Sequence, residues 1–267
     1  MKVIIDTDLA AVPNATTIDN ITSLAASSED ANFPATNLAN DYPTDLWKAA
    51  AGVKTAVLLL NVSKGSAVEV FNTNAKTVTV SVGAWGSYSL ESGFSLEDGF
   101  SLEDNEGYVT TAYSLPGRAG RLWADYTEIN VPHVVQVILT ADDTVEAGIV
   151  RAGVVEEFKD PHYGLDESSI DYSIDKEMNN GASYSRKRNI VRTFEGLEMV
   201  ETRANCHIFK HDVFDAIGPR PVAIRLAHNK ITDWEFVLFA KRIDPPKIIH
   251  DAGPTYSRLQ FSLKEVV

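Results

Sequence analysis

A chain of 267 residues can hold two domains with sizeable cores, and 44% hydrophobic with 23% charged residues is an ordinary globular balance. A net charge of −13 argues against nucleic acid as a partner, because phosphate contacts need a basic footprint. The single cysteine, Cys206, excludes an internal disulfide framework, and no stretch reaches the roughly 20 apolar residues of a membrane helix.

Residues 1–154 carry 8 Lys and Arg against 19 Asp and Glu, a balance of −11, whereas residues 155–267 carry 16 against 18, a balance of −2. That shift sets a domain boundary near 150. The chain opens with MKVIIDTD, which reads as an edge strand ending in solvated Asp6 and Asp8. Those aspartates also interrupt any signal-peptide core, so synthesis in the cytoplasm is expected. The opening resembles that of nucleoside hydrolases, whose Asp-rich motif binds calcium, but the likeness ends at Asp8, where Leu9 to Pro13 replace the aspartates that should follow. No metal is expected there. Residues 16–26 are weakly periodic and fit a short helix or a strand.

Residues 32–47 are loop-like, with Pro34, Pro43 and several Asn and Asp, yet they carry Phe33, Leu38, Tyr42, Leu46 and Trp47. A loop with that much apolar surface should pack its own aromatics across the end of a sheet, with Trp47 as a core plug. Residues 53–62 (VKTAVLLLNV) read as a buried strand. Residues 67–72 and 76–82 alternate as half-buried strands do, with a turn at 72–74.

A repeat follows over residues 88–105: YSLESG, FSLEDG, FSLEDN. Aromatic and Leu lie two apart and share a face, so Phe94 and Phe100 are expected to pack on a sheet or a neighbouring chain. The acidic residues match no calcium-loop spacing and read as a solvated rim. Residues 108–126 are turn-rich around Pro116 and include Trp123, while 131–140 and 147–158 read as strands.

Beyond Asp160 the chain turns, alternates over 170–174, and signals a hairpin at Asn179-Asn180-Gly181. Residues 184–194 read as the returning strand, placing Arg186, Arg188 and Arg192 on one face. Residues 207–217 have apolar residues at helical spacing and stop at Gly218-Pro219. Residues 222–226, 235–242 and 256–267 read as strands.

Two resemblances follow from these residues. Phe33, Pro34, Asn37, Leu38 and Trp47, the turn at 72–74, and Gly148 to Gly153 resemble galactose-binding-like (discoidin-like) domains. That implies a jelly-roll β-sandwich over 1–153, with the repeat at 88–105 inserted. The second half resembles baseplate and distal-tail-type minor tail proteins of long-tailed bacteriophages. Tyr163, Gly164, Asp171 and Ser173 carry it, with the corner Ile217-Gly218-Pro219-Arg220-Pro221 and the terminal Phe261-Ser262-Leu263-Lys264-Glu265-Val266. It implies a β-rich (α+β) assembly domain with one short helix over 154–267, although the typical distal tail protein places its ring-forming part before any such sandwich.

The expectation is therefore a mainly β, non-enzymatic structural component of a phage tail tip or baseplate. Such a protein is made in the host cytoplasm and resides in the virion. It would form a trimeric or hexameric ring of identical subunits, join neighbouring tail proteins, and contact host-surface glycan without inserting into a membrane. The alternative is a carbohydrate-binding module associated with a glycan-acting enzyme. Sugars stack on aromatic rings, which nominates Trp85, Tyr88, Tyr42 and Tyr113. Subunit contacts are assigned to Arg186, Lys187, Arg188, Arg192, Phe94 and Phe100. Cys206, His207, His211 and Asp212 are the best metal-like cluster, but two further ligands are missing and the histidines read as a helix surface, so no metal and no cofactor is expected. No phosphate loop or nucleophile elbow appears.

Overall fold

The computed structural model describes residues 1–5, 21–84, 109–115, 120–161, 166–177, 183–187, 190–215, 217–226, 236–250 and 255–266. Asp6, Asp8, the 88–105 repeat, the turn at 179–181 and Arg188 lie outside them. The fold is mainly β, as the strand patterns imply. It divides into a sandwich unit (Val3–Glu156 with Ile231–Val237) and a C-terminal unit (Met1–Lys2, Glu157–Lys230 and Leu238–Val267). The boundary expected after Gly153 falls inside a strand that continues to Glu157.

Among the described residues the sandwich unit holds eleven strands: β1 (Lys2–Ile5), β2 (Ile21–Ala26), β3 (Trp47–Lys48), β4 (Thr55–Val62), β5 (Gly65–Phe71), β6 (Thr77–Ala84), β7 (Val109–Ser114), β8 (Arg121–Ile129), β9 (His133–Thr140), β10 (Glu146–Ala147) and β11 (Ile149–Glu157). One sheet runs β2-β4-β9-β6-β7 and the other β1-β11-β5-β8. The chain crosses between sheets from β4 to β5, from β5 to β6, and from β7 through β8 to β9, which is jelly-roll connectivity. Leu58, Leu60, Val68, Val70, Val78, Val137 and Val150 belong to one buried cluster, most of them fully excluded from water.

Two strand assignments change places. β4, the apolar run expected to be buried, alternates, with Ala56, Leu58, Leu60 and Val62 inside and Val57, Leu59 and Asn61 half-buried. β5, expected to be half-buried, has every residue except Ser66 buried. Its outer face is covered at one end by Arg121, whose guanidinium lies 4.9 Å over the Phe71 ring and donates through Nη1 to the Val237 carbonyl at 3.1 Å. Apolar content thus marks burial poorly when a long polar side chain lays its stem across a sheet. β1 forms as expected with Val3 and Ile4 buried, while the aspartates expected to end it lie outside the described residues.

The C-terminal unit holds β12 (Asp166–Asp171), β13 (Ile174–Glu177), β14 (Ser183–Arg186), β15 (Ile190–Thr202), β16 (Val222–Arg225), β17 (Val237–Arg242), β18 (Lys247–Ile249) and β19 (Tyr256–Glu265). Within it the order is β12-β15-β19-β17-β16, with β18 also on β19. The expected returning strand over 184–194 does not form. β14 pairs with β13 as a separate hairpin, and β15 begins at Ile190 and runs to Thr202 through a bulge at Gly196, where φ is +65°. Thr202 caps the helix that follows, its Oγ1 accepting from the Asn205 amide at 3.2 Å. That helix, α1 (Arg203–His207), starts four residues before the expected one and passes into a π-helical run, Ile208–Asp215. Phe209, Phe214 and Phe261 cluster beneath it.

Candidate ligand-binding site

The loop over 32–47 closes one end of the sandwich. A 3-10 turn, Ala35–Ala39, buries Leu38, and Trp47 is fully buried on β3, which pairs with β10 through Ala147. These two anchors fix the loop by its apolar side. The Asn37 side-chain amide donates to the Leu46 carbonyl at 2.9 Å and so ties the two arms together.

The tip is held from three directions. Arg151 stands on the face of β11 opposite the core residues Val150 and Ala152 with its side chain almost wholly buried, and it donates to the Leu38 carbonyl at 3.3 Å, the Asn40 carbonyl at 2.5 Å and Asp41 Oδ1 at 3.2 Å. A buried guanidinium is stable only when its donors find acceptors, and a turn's inward carbonyls supply them. Asn72, in the left-handed region at φ +54°, donates from Nδ2 to the Pro43 carbonyl at 2.7 Å. Gly148 closes the third side. A Cβ there would sit 2.3 Å from the Pro43 oxygen, so only glycine permits this approach.

What the clamp presents outward is Tyr42, 65% exposed. Its amide donates to Asn40 Oδ1 at 2.7 Å, Asn40 Nδ2 donates to Asp45 Oδ2 at 3.3 Å, and the Asp45 amide donates to the Tyr42 carbonyl at 3.0 Å. Phe33 is 37% exposed at the base of the loop, with the Lys48 ammonium 4.9 Å from its ring centre. The result is an exposed ring on a turn whose backbone is tied by amide and carboxylate side chains, which offers a ligand a ring face for stacking.

Of the predicted sugar-binding residues, Tyr42 stands here. Tyr113 is half-buried on the edge strand β7, opposite Val78, and leans on the core. Trp85 and Tyr88 lie outside the described residues. Trp123, considered with them, is buried, its indole donating to Asp125 at 2.9 Å. Sequence reasoning missed Arg151 as the organiser, although a charged residue inside the apolar run of β11 was a readable signal.

A second polar cluster lies within the same unit. Tyr126 donates its hydroxyl to His133 Nε2 at 3.1 Å, and His133 Nδ1 donates to the Val131 carbonyl at 2.9 Å. Burial pushes the imidazole below its ordinary pKa and the phenol well above its own.

The predicted subunit-contact residues are dispersed. Arg186 and Lys187 are exposed at the end of β14, whereas Arg192 is in the other sheet. It grips the buried Glu265 with two bonds, Nε to Oε2 at 2.8 Å and Nη2 to Oε1 at 3.1 Å, and reaches Glu167 at 3.6 Å. Burial raises the Glu265 pKa, and Arg192 opposes that shift. Phe94, Phe100 and Arg188 are outside the described residues. Cys206 is buried, its thiol directed at the Glu201 and Ser257 carbonyls, so it does not join His207 and His211.

No family model matches the chain, and no curated protein matches it either. In structure it is similar to chitosan-binding module 1 of a chitosanase/glucanase from Paenibacillus sp. IK-5, at 18% identity over 52% of this chain and 96% of that one, with a TM-score of 0.37. It is also similar to a Streptococcus pneumoniae fucose-binding module, at 11% identity over 52% and 97%, TM-score 0.36. A chain from reduced XRCC1 bound to the DNA pol beta catalytic domain matches at 17% identity over 51% and 97%, TM-score 0.38. Likenesses this distant decide neither ligand nor role.

Proposed function

We propose that the sandwich unit is a non-catalytic glycan-binding module whose platform is the end loop carrying Tyr42. The observation that carries this reading is the exposed tyrosine on a loop pinned by Arg151, Asn72, Leu38 and Trp47. Preorganisation of the loop by these anchors lowers the entropy lost when the ring meets a ligand face. A glycan array followed by calorimetry tests it. Tyr42→Ala should weaken binding at least about tenfold, by removing ~1.4 kcal/mol or more of stacking, and leave the thermal midpoint within the scatter of surface substitutions. Unchanged affinity in that variant, or no glycan bound at millimolar concentration, would sink the reading.

A second reading concerns the C-terminal unit, as the part that assembles identical subunits in a phage tail tip or baseplate. The observation in its favour is local: Ile170, Tyr172, Tyr184 and Ile190 are all 38–52% exposed within a 21-residue window. Ile170 lies on β12 at the end of its sheet and Tyr184 on a hairpin whose described strands pair only with each other, positions where a second copy could add contacts. On this reading the protein is made in the host cytoplasm, ends in the virion, and displays its glycan platform from a trimeric or hexameric ring. Sedimentation of Tyr172→Ser/Tyr184→Ser against the parent chain tests the surface. A parent chain that remains monomeric at high micromolar concentration removes self-assembly.

A further inference from the structure

The π-helical run carries chemistry that neither reading uses. His207 ends α1 and His211 follows four residues on, so both rings project from one side of the helix. They lie nearly parallel, 14° apart, with centroids 5.6 Å apart, and both are exposed. His211 Nδ1 is 2.9 Å from Asp215 Oδ2. A carboxylate only accepts, so Nδ1 carries a proton and Nε2 is the ring nitrogen left for another partner. Asp215 is itself held by Arg242, Nη1 to Oδ1 at 3.1 Å. A carboxylate that fixes the tautomer and orientation of an imidazole is the usual outer partner of a metal-bound histidine.

We infer that His207 and His211 form a two-histidine chelate for a borderline divalent transition metal, copper(II), nickel(II) or zinc(II). With metal–nitrogen bonds of about 2 Å, an ion lies roughly 3 Å from each ring centre. Two rings sharing it are then separated by roughly 4.5–5.5 Å with both ring planes passing through the ion, so the two exposed, stacked rings must turn about their side-chain bonds to share it. Among the described residues no three His, Cys, Asp or Glu side chains gather as ligands, so the two imidazoles are the proposed protein donors. The π-helical geometry, rare in itself and frequent at functional sites, supports the same segment.

Calorimetric titration of the full chain, free of any polyhistidine tag, with the chloride of each metal alone tests the site. One equivalent should bind, copper(II) more tightly than nickel(II) or zinc(II), and magnesium(II) should not bind, since it prefers oxygen ligands. His207→Ala and His211→Ala each remove the chelate and should weaken binding about 100-fold. Asp215→Asn should weaken it about tenfold. Circular dichroism of the exposed-residue variants should match the parent. No stoichiometric binding, or affinity unchanged in His211→Ala, overturns the inference. The outcome is independent of glycan binding, which reports on the other unit.

Discussion

The end loop of the sandwich and the β13–β14 hairpin of the C-terminal unit are both short segments that hold aromatics in water. They are built on opposite principles. The loop carries no ladder of its own beyond the two-residue strand at its exit, yet Leu38 and Trp47 are sunk in a core, and Arg151 satisfies its carbonyls from beneath. The hairpin has a regular ladder from Ile174↔Arg186 to Glu177↔Ser183, yet among the described residues its strands pair only with each other. Tyr184, Ser185 and Arg186 are all exposed. Isolated two-stranded hairpins are marginal in water, because few side chains are buried for the backbone entropy lost. Anchorage, not regularity, decides which of the two segments is held rigidly within its own unit.

The largest effect that would break this comparison is loss of the anchor. Trp47→Ala should destabilise the sandwich by about 3–5 kcal/mol through cavity formation, measured by denaturant midpoint. A loss under 1 kcal/mol would mean that the loop is not fixed by its apolar side. Next comes Arg151→Met, which keeps bulk but strands the Leu38 and Asn40 carbonyls, at a cost of about 3 kcal/mol. It should weaken glycan binding alongside Tyr42→Ala, because the tip loses its fixed shape. In the C-terminal unit, the paired change Arg186→Glu/Lys187→Glu should leave stability within about 0.5 kcal/mol, since neither residue is buried. Its effect belongs to association, read by sedimentation.

The smallest effect is a pH dependence confined to the sandwich. His133 has a lowered pKa because it is buried, so the unfolded chain takes up its proton first. Stability from this group is complete above the ordinary histidine pKa of about 6.5 and is lost as pH falls toward the folded value. Thermal midpoints of the parent and His133→Gln should therefore converge between neutral pH and pH 5. Parallel profiles would show that the imidazole titrates alike in the folded and unfolded chain, and would sink the burial argument.

Much of this was readable in the chain. Period-two alternation located β6 and β19, β-branching located β9, and the excess of aromatics in a proline- and asparagine-rich stretch marked the end loop, because such apolar surface must be buried wherever it falls. The Asn-Asn-Gly signal sits between strands that do pair, β13 and β14. Other features depended on neighbours distant in sequence. The burial of β5 needed Arg121 laid across it, and the division of the expected 184–194 strand placed Arg192 against Glu265, 73 residues away.

By itself, then, the sequence determined the elements and their apolar faces, since periodicity and turn chemistry act over a few residues. Tertiary structure alone decided which polar groups meet: Arg151 beneath the loop tip, Tyr126 with His133, Asp215 between His211 and Arg242. Such meetings are set by the folded path of the backbone, and no local propensity encodes a contact across 111 residues.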